Sequence, residues 1–144
     1  MVTVTNGSDV NDSLASYGEW RFHNAAPIYT QIRDKLKWAI LKGQLQPGET
    51  IPSIREMASI LHINSNTVAR AYRLVSGEGL IETINSKHHR IVSGNIVIQK
   101  IRAQEAQILS CSFVRGMMEL GFAKGESLAF IKDYIQQQMR EEAQ

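Results

Sequence analysis

Five polar residues lie within nine positions of the chain and have the chemistry needed to contact nucleic acid. They are Ser65, Asn66, Thr67, Arg70 and Arg73. Short hydrogen-bonding side chains at the start of a helix can approach base edges in the DNA major groove, and arginines behind them can reach phosphates. An ordinary solvated helix face has the same composition, so the surrounding elements must decide between the two interpretations.

Two short helices joined by a tight turn would position these residues. Ser53 can cap the first helix with its hydroxyl, and Glu56 stands three residues on as the partner of a capping box. Asn64 can cap the second helix and, at the start of that helix, is also a candidate DNA contact; the apolar residues of the helix face away from the polar ones. These inward residues are Val68, Ala71, Tyr72 and Val75. The pattern predicts a helix-turn-helix.

A further helix is predicted ahead of this pair. Pro27 suits the first turn of a helix, where its missing N–H costs nothing, and Gly43 suits a C-terminal stop. Apolar residues recur between them at intervals close to four: Ile28, Ile32, Leu36, Ala39 and Ile40. We expect this amphipathic helix to pack across the helix pair.

Two short β-prone segments, residues 80–84 and 90–92, follow the helix pair. The polar residues between and beside them form a basic tip: Lys87, His88, His89 and Arg90. A hairpin directly after a recognition-type helix is a wing, and its tip can reach a phosphate or the minor groove. The adjacent histidines lack further ligands at metal-binding spacing, which favours a solvated turn over a metal site.

Two helices are predicted in the last third of the chain, the first over residues 96–120 and the second capped by Ser127. The apolar stripe of the first is Ala106, Leu109, Phe113, Met117 and Leu120, and that of the second is Leu128, Ile131, Ile135 and Met139. Two such helices cannot enclose a metabolite pocket, and their apolar faces need a cover. We therefore expect a dimerisation hairpin; folding back on the preceding domain is the alternative.

Composition limits the functional classes. The formal net charge is +2, but residues 31–95 carry nine basic and five acidic residues, so a polyanion would bind the middle of the chain. The single cysteine, Cys111, excludes an intramolecular disulfide and fits a reducing compartment, and we expect it to be buried. No catalytic triad, phosphate loop or paired-acid site is present, so no enzyme activity, cofactor or metal is expected.

The start of the chain and its hydropathy bear on localisation. Residues 1–24 are polar and weakly periodic, and we expect them to form a mobile extension. They lack the basic start and apolar run of a signal peptide, and no apolar run in the sequence reaches the length of a membrane span. The expected location is the cytoplasm.

An ordered series of residues gives the sequence a recognisable pattern. It reads Pro27-Ile28-Tyr29-x-Gln31-Ile32, then Ala39-Ile40-x-x-Gly43-x-Leu45-x-Pro47-Gly48-Glu49-x-Ile51-Pro52-Ser53-x-Arg55-Glu56-Met57-Ala58, then Asn66-Thr67-Val68 and Glu78-Gly79-Leu80-Ile81. Over roughly residues 25–92 this pattern resembles the winged-helix domain of the GntR family of bacterial transcription regulators. The resemblance implies operator binding as a dimer, with Arg55, Asn66 and Thr67 at DNA-contact positions.

Two departures from the family pattern concern the expected DNA contacts. Ser65 stands where many relatives have an arginine, which removes a guanine-reading side chain. The sequence Ser86-Lys87-His88-His89 replaces the usual Gly-x-Gly-Thr of the wing, and its Cβ atoms oppose positive φ and a close approach to DNA. The resemblance therefore implies an operator different from the commoner family sites.

The short helical tail resembles that of the YtrA-type GntR regulators, in which it implies dimerisation. The expected fold is mainly α with a small β-wing: an extension (1–24), a winged helix-turn-helix domain (25–94) and a helical dimerisation module (95–144). The predicted function is a homodimeric transcription regulator, a repressor of a palindromic DNA operator, with an unidentified small effector as an additional partner. A winged-helix protein-interaction module that has lost DNA binding is the alternative.

Overall fold

The computed structural model describes residues 16–144 as eight main elements. They are α1 (Ile28–Leu41), β1 (Thr50–Ile51), α2 (Ile54–Leu61), α3 (Ser65–Gly77), β2 (Ile81–Thr83), β3 (His89–Ile91), α4 (Asn95–Glu119) and α5 (Lys124–Glu142). This order confirms the predicted fold class, since helices predominate and three short strands form one antiparallel sheet. The chain divides into two compact units, residues 1–100 and 101–144, and this division falls within α4.

The predicted caps define the helix-turn-helix. The Ser53 hydroxyl accepts a hydrogen bond from the Glu56 N–H at 3.2 Å, and the Asn64 side-chain oxygen accepts one from the Asn66 N–H at 2.8 Å. Between the helices, His62 adopts a left-handed conformation with φ of 54°. A residue in this region reverses the chain direction directly after α2, which produces the tight turn.

The core of the first unit lies between α1, α3 and the sheet. Gly43, with φ of +80°, follows α1, and Ile32 and Leu36 of its predicted stripe are fully buried. Other buried residues come from α2, from α3 and from the sheet with the turn before it, and include Met57, Val68, Ala71, Tyr72, Val75, Leu80, Ile81 and Ile91. The apolar spacing therefore placed the buried faces of α1 and α3 correctly.

The sheet contains one pairing that the sequence did not reveal. Strands β2 and β3 form the predicted hairpin, and β1 pairs antiparallel with the other side of β3, placing Thr50 opposite Arg90 and Ile51 opposite His89. The Pro47-Gly48 turn before β1 closes with a 3.0 Å bond from the Glu49 N–H to the Gln46 carbonyl. The extended piece predicted at residues 50 and 51 is thus an edge strand of the wing.

Residues ahead of α1 belong to the packed unit. The expected mobile extension over 1–24 lies outside the described residues as far as position 15, but Tyr17 is only 3% exposed. The side chain of Gln31 holds the following segment by accepting from the His23 N–H and donating to the His23 and Ala26 carbonyls, at 2.7–3.0 Å. Over residues 16–24 the chain is therefore fixed by burial and hydrogen bonds.

The second unit is formed by the end of α4 and by α5, joined by a short turn; we call these two connected helices the hairpin, and two expectations about them fail. Gly121, with φ of +94°, ends the long helix as predicted, but α5 begins at Lys124 and its N-cap is Ala123 rather than Ser127. Ser127 is buried within the helix and donates to the Ala123 carbonyl. Cys111 is exposed rather than buried because it lies off the face of α4 that carries buried Met117.

None of the helices in the described part of the chain has the length and apolar character of a membrane span.

Candidate nucleic-acid interface

Helix α3 has one buried and one exposed face. Val68, Ala71, Tyr72 and Val75 are buried, as predicted. Asn66, Arg70 and Arg73, at intervals of four and three residues, form a stripe on the exposed side. The helix therefore presents an amide and two guanidinium groups from a rigid, packed support.

A concave surface of about 370 Å³ adjoins this exposed face. It is bounded by residues from three places: Ser53, Ile54 and Arg55 at the start of α2; Ser65, Asn66 and Ala69 on α3; and Ser86, Lys87 and His89 on the wing. We call it the wing groove. Arg55, at the start of α2, and Lys87, on the wing, are exposed cations that line the groove, and the hydroxyl and amide groups that also line it can donate hydrogen bonds. Such a surface has the chemistry to bind an anion with polar substituents.

The surroundings of three predicted contact residues differ from those of the groove-lining Asn66. The side-chain oxygen of Asn64 is occupied by its capping bond. Thr67 is half-buried on the opposite side of α3 from the groove-lining Ser65 and Ala69. Arg70 stacks on Tyr29 of α1, with its guanidinium carbon 3.9 Å from the ring centroid, a contact that fixes the cation at the helix surface.

The wing builds its turn from a side chain instead of glycines. The side-chain oxygen of Asn85 accepts from the N–H groups of Lys87 and His88 at 3.0 and 3.2 Å, and the Ile84 N–H donates to the His88 carbonyl. Among residues 16–144, His62 is the single non-glycine residue with positive φ. The wing therefore turns without the backbone conformation that its missing glycines would have supplied.

Alternation along β3 separates two predicted contacts. Arg90 pairs with Glu82 directly across the strands, with 2.7 Å between Nε and Oε1, and does not line the wing groove. His89 points to the other face, because successive side chains of a strand alternate. There its ring meets the Tyr72 ring edge-on at a centroid distance of 5.1 Å. The predicted tip residue His88 is exposed and also lies outside the groove lining.

The sequence placed His89 at the basic tip of the wing but did not reveal that its ring packs against α3, although one signal was available. Ile91, two residues on, is fully buried, and the period of two places His89 on the same face of the strand. Its Nδ1 lies 3.5 Å from the Thr83 hydroxyl. Partial burial, followed by the nearby charge of His88, lowers the pKa of the His89 imidazole.

A hydrogen bond from Tyr72 ties α3 to the segment that precedes α2. Its hydroxyl donates a 2.6 Å hydrogen bond to the carbonyl of Pro52, immediately before the start of α2. Burial, reinforced by the neighbouring Tyr17 hydroxyl and Glu56, raises the pKa of the Tyr72 phenol far above its usual range, so it remains a donor. The bond links α3 to the segment that carries Ser53 and Arg55.

The predicted dimerisation residues are mostly exposed in the single chain. Met117 is buried, and Phe113 and Ile131 are half-buried. The remaining members form the exposed apolar surface of the hairpin: Ala106, Leu109, Leu120, Leu128 and Ile135. Leu120 and Leu128 are 75% and 69% exposed.

Within residues 16–144, no cluster of three or more His, Cys, Asp or Glu side chains could hold a metal ion.

Comparison with known proteins identifies the group to which this fold belongs. The family described as bacterial regulatory proteins, gntR family, matches residues 28–91. The repressor YtrA of Bacillus subtilis is 44% identical over 64 residues, which are 44% of this chain and 49% of that protein. The chain thus spans only about half the length of this relative.

Two further similarities extend through the helical tail. The regulator YhcF of Bacillus subtilis, itself uncharacterized, is 31% identical over 116 residues, covering 81% of this chain and 96% of that protein. A GntR family transcriptional regulator from Listeria monocytogenes has a TM-score of 0.70 and 28% identity, covering 78% of this chain and 98% of that one. The predicted resemblance is confirmed, and the chain is a YtrA-like transcription regulator of the GntR family, not an enzyme.

Proposed function

We propose that the protein is a homodimeric repressor that binds a palindromic DNA operator. In each subunit α3 enters the major groove with Asn66 toward the base edges, while Arg55, Arg70, Arg73 and Lys87 contact phosphates. Ser65 and Thr67, at the start of the helix, flank the base-reading position. Two such domains related by a two-fold axis would read the two halves of one palindrome.

The observation that carries this proposal is the combination of the exposed α3 stripe with the wing groove. A duplex presents phosphates on both sides of its major groove, so a reading helix needs cations beside it as well as on it. Here Arg70 and Arg73 lie on the helix, and Arg55 and Lys87 lie on the walls of the adjoining groove. The buried opposite face of α3 holds this arrangement in place.

The exposed apolar residues of the α4–α5 hairpin support the dimer. Leu120 and Leu128 would each gain about 1.5–3 kcal/mol from full burial, which favours association with a surface of the same kind. A two-fold arrangement allows one apolar patch to cover itself in the second copy. The repressor name of the relative YtrA supports the sign of regulation.

The first experiment compares Arg55→Ala with the wild-type protein. A duplex selected by the wild type from a random pool serves as the probe, and affinity is measured at several salt concentrations. Loss of one phosphate contact in each of the two subunits should weaken binding and reduce the salt slope by about two units, with little change in Tm.

Arg140→Ala, an exposed arginine of α5, is the matched control and should bind like the wild type. Unchanged affinity of Arg55→Ala at fixed salt would contradict the assignment of Arg55.

Base reading is tested separately with Asn66→Ala and Thr67→Ala. Because base contacts carry sequence information, these variants should alter the selected sequence more than the salt slope. Failure of the wild-type protein to be retained on duplex DNA at physiological salt would contradict the proposal and favour a winged-helix module that binds protein. Sedimentation of the free protein as a monomer at micromolar concentration would contradict the dimer.

A further inference from the structure

His89 lies where the wing meets the reading helix. Its ring packs edge-on against Tyr72 of α3, and the residue lines the wing groove with Arg55 and Lys87. Since Nδ1 faces the Thr83 hydroxyl at 3.5 Å, Nε2 is the ring nitrogen available to a group entering the groove. The packed ring offers this nitrogen from a fixed position, unlike the exposed side chain of His88.

The charges around His89 come from each neighbouring element. Helix α2 contributes Arg55 and Glu56, the wing contributes Lys87 and His88, and the buried Tyr72 phenol of α3 remains neutral. A proton on the imidazole of the free protein therefore meets mainly other cations.

Two further carboxylates lie near the sheet, and each has another partner: Arg90 for Glu82, and the Gln46 N–H, which donates a 2.7 Å hydrogen bond, for Glu49. On the opposite face of the sheet, Glu82 is engaged by Arg90. Glu49 precedes β1, whose two residues, Thr50 and Ile51, carry no charge. The free groove thus favours the neutral imidazole, and an entering anion would reverse that preference.

We propose that His89 is a proton-linked DNA contact, in which the imidazole takes up one proton from solvent and the imidazolium then pairs with a backbone phosphate in the wing groove. This inference rests on the proposed function and adds a residue and a charge state to it. It also gives the wing a phosphate contact that needs no glycine for close backbone approach, because a side chain reaches the duplex.

The linkage has a defined sign. In the free protein the pKa of His89 lies below its usual value near 6.5, and the phosphate of bound DNA raises it. DNA affinity should therefore increase as the pH falls from the pKa of the complex toward that of the free protein. Over that interval log Kd for the dimer changes by up to about two units per pH unit, since each of the two subunits takes up one proton on binding.

The experiment measures Kd for a mixed-sequence duplex of about 30 base pairs at fixed low salt, between about pH 8 and 5.5. The variants are His89→Gln, His89→Lys and His88→Gln. Wild type and His88→Gln should bind more tightly as the pH falls. His89→Gln should lose most of this dependence, and His89→Lys should bind at pH 8 as tightly as the wild type binds near pH 6.

Thermal melting of each variant checks that it is folded. If His89→Gln is unstable, His89→Lys still tests whether a positive charge at position 89 strengthens DNA binding. A pH dependence that persists in His89→Gln, or disappears in His88→Gln instead, would overturn the inference while leaving DNA binding intact. The inference would also be overturned if His89→Lys bound DNA no more tightly than the wild type at pH 8. Absence of wild-type binding at every pH would instead contradict the proposed function itself.

Discussion

The two units of this chain use the same apolar residues in opposite ways. In the winged unit Leu36 and Leu80 are completely buried, whereas in the hairpin Leu120 and Leu128 are 75% and 69% exposed. Both sets recur at helical or strand periodicity, so both sequences encode an apolar face. The difference shows that the first face is covered within its own unit, while the second is available to another surface.

This contrast separates two kinds of stability. Burial in the winged unit is intramolecular and should not depend on protein concentration. Covering the hairpin by a second copy is intermolecular, so its contribution depends on protein concentration. Both tryptophans, Trp20 and Trp38, lie in the winged unit, and their fluorescence therefore reports on that unit alone.

The largest effect is expected from Leu36→Ala. The substitution leaves a cavity in a fully buried site and should lower the free energy of unfolding by about 2–5 kcal/mol. Urea unfolding followed by tryptophan fluorescence measures it, with Leu36→Met as the control that preserves side-chain volume and costs less than about 1.5 kcal/mol. A loss below 1 kcal/mol would contradict a tightly packed winged core.

The next effect tests the hairpin. Leu128→Asp places a charge on its exposed apolar face and should raise the dimer dissociation constant roughly 30-fold, equivalent to about 2 kcal/mol, with helix content retained. Analytical ultracentrifugation measures the change. Gln136→Asp, on an exposed polar position of the same helix, should leave the dimer intact. Equal dissociation constants for both variants would show that Leu128 lies outside the interface.

A smaller effect is expected from Tyr72→Phe. Removal of the hydroxyl leaves the buried Pro52 carbonyl without its donor and should cost about 1.5 kcal/mol. The exposed Tyr134→Phe in the hairpin is the control and should be close to neutral. Equal free energies of unfolding for the two variants in urea would show that the hydrogen bond to Pro52 makes no net contribution to stability.

The smallest effect is a pH response confined to one unit. All four histidines, His89 among them, precede residue 101 and therefore belong to the winged unit. Because folding lowers the pKa of His89, the unfolded chain binds more protons than the folded one below about pH 6.5. The free energy of unfolding therefore decreases as the pH is lowered. Urea unfolding at pH 7.5 and 5.5 should show a smaller decrease for His89→Gln than for the wild type; an equal decrease would assign it to other groups.

Local signals in the sequence were sufficient for the helix-turn-helix. Ser53 and Asn64 mark helix starts because their side chains accept hydrogen bonds from nearby backbone N–H groups. Gly43 and Gly121 mark helix ends because they adopt positive φ. Both signals depend only on a few adjacent residues. The apolar spacing then fixed which face of each winged-unit helix is buried. These features were predicted because their causes lie within a few residues of one another.

Features that depend on distant partners were not predictable in the same way. The pairing of β1 with β3 joins residues about 40 positions apart and rests on a two-residue strand without a pattern of its own. The sequence placed His89 and Arg90 together at a basic tip, whereas the strand register directs them to opposite faces. The stacking of Arg70 on Tyr29 likewise requires the packing of α3 against α1.

The single carboxamide of Gln31 has a chemical consequence for the integrity of the protein. Two of its three bonds are donated by the amide nitrogen to the carbonyls of His23 and Ala26. Hydrolytic deamidation, which exchanges that NH₂ group for an anionic oxygen, would convert both attractions into repulsions between oxygens. Deamidation of this one amide would therefore detach the segment leading into α1 without cleaving any peptide bond.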